Sequence, residues 1–219
     1  LLAFKILQTV SPELAQRITL PDSYFIGADV FYDFISLNTL EYNQKYKSAD
    51  QIREEYPDIK AEYEKGRFPE EVADRLRAIL ERAGKTPLIV RSSSLLEDNF
   101  GTSFAGKYES YFCPNQSNPK ENLRALTTAI RRIYASVYSP DALFYRKRMG
   151  LLDYDERMAI LLQEVQGQAY HGYFFPAVAG VAFSFAPIVW NPRLRREEGF
   201  MRLVTGLGTR AVERVGEDY

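Results

Sequence analysis

The chain has 219 residues, 46% hydrophobic and 26% charged, the composition of a soluble globular protein with apolar mass for one substantial core. Its 28 lysines and arginines against 29 aspartates and glutamates leave a net charge of -1, which excludes the broad basic field that nucleic-acid backbones require. The single cysteine, Cys113, excludes an internal disulfide framework and fits a reducing, cytoplasmic compartment, and no apolar run approaches the roughly 18 residues of a membrane span.

Residues 1–10 carry the apolar pattern of a helix already under way, and Ser11-Pro12-Glu13 supplies an N-cap, a first-turn proline and an early acid for a second, short helix. Leu20-Pro21 breaks it. Tyr24-Phe25-Ile26 reads as a short strand, after which Asp29 can cap a helix through Phe31, Phe34 and Ile35. Residues 48–84 are charged and helical in pattern, and Pro57 and the stretch 66–69 predict two or three helices there. Their charges suit a solvated face.

Pro87-Leu88-Ile89-Val90 predicts an apolar strand ending abruptly in Arg91-Ser92-Ser93-Ser94, and residues 108–112 alternate as a strand should. Asn118-Pro119 opens a helix with Leu123, Leu126, Ile130, Ile133 and Val137 at helical spacing; Ser139-Pro140 opens another, which Gly150 ends. Residues 158–165, 178–185 and 200–205 then read as strands with little helix between them. The pattern predicts a mixed α+β fold with a partly antiparallel sheet. No repeat or low-complexity tract interrupts it. The start without methionine in mid-helix and the end at 216–219 without a closing element read as a piece of something longer.

Most of the chemistry lies in Val90-Arg91-Ser92-Ser93-Ser94-Leu95-Leu96-Glu97-Asp98, followed by Thr102-Ser103-Phe104-Ala105-Gly106. An arginine at the mouth of a buried strand, beside three hydroxyls and a run containing Gly101 and Gly106, can offer a planar cationic fork and backbone donors to an anion such as phosphate. On local chemistry an ordinary strand exit, with the arginine paired to Glu97 or Asp98, explains the residues equally well.

The string VRSSSLLEDNFGTSFAGKYESYF resembles the nucleotide-binding domain of phosphoenolpyruvate synthases, pyruvate phosphate dikinases, glucan water dikinases and rifampin phosphotransferases. In that family an arginine-serine-serine string, an acidic pair and a serine-phenylalanine-alanine-glycine string follow one another at this spacing. Residues 20–26 with Phe31 and Phe34, residues 135–142 with Tyr145 and Arg146, residues 157–165, 179–184 and 206–209 are also similar to family segments. Residues 48–83 match least.

The resemblance implies an ATP-grasp-like fold, incomplete at both ends and of one or two lobes, that binds ATP with Mg2+. Carried over residue by residue, Arg91 binds the nucleotide phosphates and is the one catalytic candidate; Gly106 and Ser110 line the same pocket; and Gln163, Glu164 and Val165 hold the adenine across the cleft, on the order of 10 Å from Arg91. A strand end of this kind can offer backbone donors and acceptors to a base. The family's glycine-glycine-lysine string falls before Leu1, and its metal-binding glutamate and glutamine and a further arginine fall after Tyr219. Lys5 does not replace the lysine.

The family passes phosphate through a histidine on a separate domain. The only histidine here, His171 in Gln168-Ala169-Tyr170-His171-Gly172-Tyr173, does not resemble that motif and reads as a loop residue, with Tyr173-Phe174-Phe175 beside it as packing. The resulting expectation is an ATP-binding domain of a phosphotransferase that presents ATP to a phosphohistidine domain, from which phosphate passes to an acceptor such as pyruvate. Its alternatives are a catalytically inactive ATP-binding regulatory module and an unrelated α+β interaction domain.

Overall fold

The computed structural model describes residues 2–42, 46–97, 108–186 and 195–208. Two compact units divide the chain, Leu1–Val165 and Gln166–Tyr219.

In the first unit the order is α1 (Leu2–Val10), α2 (Pro12–Ala15), β1 (Ser23–Ile26), α3 (Ala28–Asn38), α4 (Ala49–Lys65), α5 (Glu70–Ala83), β2 (Leu88–Ser94), β3 (Ser110–Cys113), α6 (Pro119–Ser136), α7 (Pro140–Arg148) and β4 (Met158–Glu164). The four strands form one sheet in the order β1-β4-β2-β3, antiparallel throughout. Strand residues alternate between faces, so one face takes Ile26, Leu88, Val90, Cys113, Met158, Ile160 and Leu162 into the core. The helices α3 and α6 pack there, α6 through Leu126, Ile130 and Ile133.

Caps set the helix starts where the sequence predicts them in two cases. The Asn118 side chain accepts from the Glu121 amide at 3.0 Å, and the Ser139 hydroxyl from the Ala142 amide at 3.3 Å. Two expected caps differ. Ser11 stands at the N-cap of α2 without a side-chain bond, and α3 is capped at Gly27, with Asp29 inside its first turn.

Pro57 does not divide the 48–84 region: α4 runs through it for 17 residues. The ring removes one main-chain bond, at about 3 kcal/mol, but Ile52 on one side and Ile59 and Tyr63 on the other are buried, and their packing outweighs it. The stretch after α4 does break the helix. There Gly66 lies so close to Phe34 that a Cβ would stand 2.4 Å from its ring, and Asn38 clasps Arg67, donating to its carbonyl and accepting from its amide at 2.8 Å. Phe34, Tyr63, Phe68 and Tyr134 meet around this point, with Phe34 and Phe68 centroids 4.8 Å apart.

Among its described residues the second unit has two antiparallel strand pairs, β5 (Gln168–Tyr170) with β6 (Tyr173–Phe175) and β7 (Val178–Phe183) with β8 (Phe200–Thr205), and one turn of 3-10 helix at Arg196–Glu198. The short pair β5 and β6 is absent from the sequence reading. His171 and Gly172, at φ 45° and 83°, make its two-residue turn, so the histidine sits at a hairpin tip. Among the described residues no helix is long and apolar enough to cross a membrane.

Two outcomes test this packing. Pro57→Ala should raise the urea midpoint, by about 1–2 kcal/mol of stability, because it restores the helix bond; a lower midpoint would mean that α4 is already adapted to the ring. Burial pushes the Cys113 thiol up to about 11. At pH 8 it should therefore resist thiol reagents until the protein is unfolded by denaturant.

Candidate functional site

The sheet face opposite the helices is open. Arg91 is exposed on it, opposite Ser110 of β3 on one side and Leu161 of β4 on the other, with Phe25 of β1 beyond. The next row on this face is Phe112, Ile89, Gln163 and Ser23. Phe25 and Phe112, 71% and 67% exposed, stand at its two edges. Arg91 and Gln163 sit on adjacent strands two residues out of register, which puts their Cα atoms about 8 Å apart.

Arg91 is the fourth of seven residues in β2 rather than at its mouth. The strand continues because β4 supplies partners for Ser92, Ser93 and Ser94 in Ile160, Ala159 and Met158. Among the described residues Arg91 has no ion pair. Glu97, one of its two expected partners, is engaged elsewhere: it accepts from the Ser92 hydroxyl at 2.9 Å and the Ser94 amide at 3.1 Å. Asp98, the other, lies outside the described residues, as does Gly106.

Of the three hinge residues, Gln163 shares the face of Arg91 and Ser110. Its side-chain amide donates to the Ser23 hydroxyl at 3.1 Å. Glu164 pairs with Leu88 and so turns its side chain to the other face, where burial pushes its carboxyl above the ordinary range and the Asp22 charge adds to the push. Val165 follows the strand. Its amide donates to the Pro87 carbonyl and that of Glu164 to the Asp22 carbonyl, both at 2.9 Å. Because β4 is a central strand, these two donors belong to the sheet and are not free for a base.

The exit of β2 contains a second polar cluster, absent from the sequence reading. The buried Ser94 hydroxyl donates to Glu156 Oε1 and accepts from the Leu96 amide at 3.0 Å, while the Glu97 amide donates to the Ser94 carbonyl at 3.1 Å. Ser94-Leu95-Leu96-Glu97 has the serine-x-x-glutamate form of a capping box, the one signal from which this turn could have been read. Glu156 is 5% exposed, Tyr108 6% and Arg146 7%. Burial pushes the Glu156 carboxyl above the ordinary carboxylate range, and the Glu97 charge adds to it, against the pull of Ser94, the Arg146 charge and Tyr108. Burial and the Glu156 charge likewise push the Tyr108 phenol upward.

The family model described as pyruvate phosphate dikinase, AMP/ATP-binding domain, matches residues 6–219. Among curated proteins the chain is similar to a rifampicin phosphotransferase of Streptomyces sviceus, 28% identical over 184 residues that cover 80% of this chain and 20% of that protein. An uncharacterized phosphotransferase of Bacillus subtilis is 27% identical over 68% of the chain and 16% of its own length. A probable phosphoenolpyruvate synthase of Archaeoglobus fulgidus is 25% identical over 74% and 22%. The chain thus spans about a fifth of the length of these relatives.

The buried Glu156 carries a pH signature. Its folded carboxyl holds a proton to higher pH than the unfolded one, so its contribution to stability is fully present below the ordinary glutamate range and is lost as pH rises through the folded value. Glu156→Gln cannot ionise and should flatten that part of the curve of stability against pH. Urea denaturation of both proteins across pH 4 to 8 checks this; parallel curves would place the charge of Glu156 in a solvated setting.

Proposed function

The chain belongs to the family of pyruvate phosphate dikinase AMP/ATP-binding domains, and on that premise we propose that it has an ATP-grasp-like architecture whose open sheet face, with Arg91 at its centre, holds ATP for transfer of a phosphate to a histidine on another domain. From that histidine the phosphate would pass to an acceptor such as pyruvate. The observation that carries the reading is the side-by-side placement of Arg91 and Ser110, with Gln163 on the same face and no described carboxylate paired to the arginine.

Each residue then has a chemical task. Arg91 offers a planar fork that can take two phosphate oxygens at once, and the Ser110 hydroxyl beside it can donate a third hydrogen bond. Gln163, about 8 Å away, lies within a nucleotide's reach for contact with the base or ribose. Gly106 belongs to the same reading through its motif. Transfer of this type depends on holding the phosphate in line and neutralising its charge, so an electrostatic clamp suffices where no side chain has to form a bond.

A magnesium ion would share the charge of the phosphates. The described residues contain no group of three His, Cys, Asp or Glu side chains placed to hold a metal. His171 does not serve as the carrier in this reading, because it occupies a hairpin tip and lacks the family's surrounding motif.

Titration with ATP and magnesium tests the clamp. The chain alone is expected to bind weakly, and Arg91→Met should weaken binding by about tenfold to a hundredfold, the loss of one charge-assisted contact of about 1.5–3 kcal/mol. Equal affinity in the variant would remove Arg91 from the site. With radiolabelled ATP the chain should acquire no phosphate; label that disappears in His171→Ala would locate the carrier inside this chain and overturn the reading.

A further inference from the structure

We propose that Glu156 is a positioning residue of this site: its buried carboxylate joins the outgoing end of β2 to the residue leading into β3, and so sets the strand pair that carries Arg91 and Ser110. The inference rests on the reading of that face as the ATP site.

Four separate segments meet at this carboxylate. Ser94, the last residue of β2, donates its hydroxyl to Glu156 Oε1. Tyr108, two residues before β3, is itself buried, and its phenol lies close enough to feel the Glu156 charge. Glu156 itself stands two residues before β4, whose Met158 pairs with Ser94. From α7, Arg146 brings its charge to the cluster while donating to the Tyr154 carbonyl at 2.6 Å. Ser94 and Tyr108 are also the residues that bracket the 95–107 stretch, which includes Gly106 of the phosphate motif.

Among the described residues Glu156 therefore bonds to Ser94 rather than to a candidate nucleotide ligand, and it acts on residues close in sequence to two of them, Arg91 and Ser110. Arg91 lies three residues before Ser94, and Ser110 two residues after Tyr108. If either strand end shifted, the guanidinium and the hydroxyl would move apart by a fraction of a strand repeat. A clamp that works by position is sensitive to displacements of about 1 Å. Stability alone does not explain a carboxylate here, because an apolar side chain of similar volume fills a buried site at no desolvation cost. What a buried acceptor adds is a fixed direction for the Ser94 hydroxyl that bonds to it.

The test compares Glu156→Leu and Glu156→Gln in the 219-residue chain, using amide exchange and ATP with magnesium as the probe. Glu156→Leu should lose protection in residues 88–94 and 110–113 by about tenfold more than in α4 and α6, and should weaken ATP binding by about tenfold. Glu156→Gln keeps an acceptor oxygen and should stay within about threefold of the parent in both. In an Arg91→Met background, Glu156→Leu should have no further effect on ATP, because it acts through the clamp. Should the leucine variant not fold, Ser94→Ala removes the hydrogen bond to Glu156 and should give the same local loss.

A uniform loss of protection, none at all, or an ATP effect that persists without Arg91 would overturn the positioning role. Failure of the ATP reading is separate: it would show as an Arg91→Met chain that binds ATP like the parent, while the exchange pattern still reports on Glu156.

Discussion

The antiparallel ladder between β2 and β4 pairs seven residues of each strand across about 70 residues of sequence, from Leu88 opposite Glu164 to Ser94 opposite Met158. Side chains alternate across a strand, so this register decides both faces of the sheet at once. Val90, Ile160 and Leu162 go to the helices, each burial contributing about 1.5–3 kcal/mol, and Arg91, Leu161 and Gln163 go to the open side. A slip of β2 by one residue would drive a guanidinium under α6 and put Leu88 and Val90 in water. The candidate site is therefore specified by the core beneath it, because the same pairing that buries the apolar set exposes the polar one.

That coupling explains how a polar string comes to be strand. Arg91-Ser92-Ser93-Ser94 has little intrinsic preference for an extended form, and serines near a strand end tend to bond to their own backbone and turn the chain. Here the turn is postponed until Ser94, where Glu97 and Glu156 take up the amide and hydroxyl that would otherwise be buried without partners. The polar groups inside the exit thus act as an end-stop for β2. They hold it beside β3 long enough for Arg91 to meet Ser110.

Local signals in the sequence were sufficient for most elements. Asn118-Pro119 and Ser139-Pro140 marked helix starts, and the apolar runs of β4, β7 and β8 stood out as strands, because each depends on neighbours within a few residues. What was hidden depends on distant partners. Pro57 reads as a breaker until Ile52, Ile59 and Tyr63 are seen to be buried on both sides of it. Arg91 reads as the mouth of a strand until β4 is placed beside it. The β5–β6 pair is only three residues per strand, too short for a period to show, although His171-Gly172 is a turn of recognisable type. The motif residues stand out through family likeness, whereas Glu156, which forms no part of that motif, becomes visible only through its buried bond from the Ser94 hydroxyl.

The exposure of Arg91 bears on how such a site gains strength. An ion pair on an open surface contributes about 0–1 kcal/mol, since water screens it and competes for both partners. The Coulomb attraction between unit charges 4 Å apart is about 1 kcal/mol in bulk water and about 4 kcal/mol at the effective dielectric of a protein surface. One arginine can therefore be a weak anion contact on a wet sheet face and a strong clamp where water is kept away. Phe25 and Phe112, flanking the arginine at the two edges of the face, present apolar surface on either side of it. Any molecule that covered them would displace water from the guanidinium in the same event. In such an arrangement affinity for phosphate depends less on adding charges than on the order in which apolar edges and charged centre lose their solvent, and a rigid register between β2, β3 and β4 lets both happen on one surface.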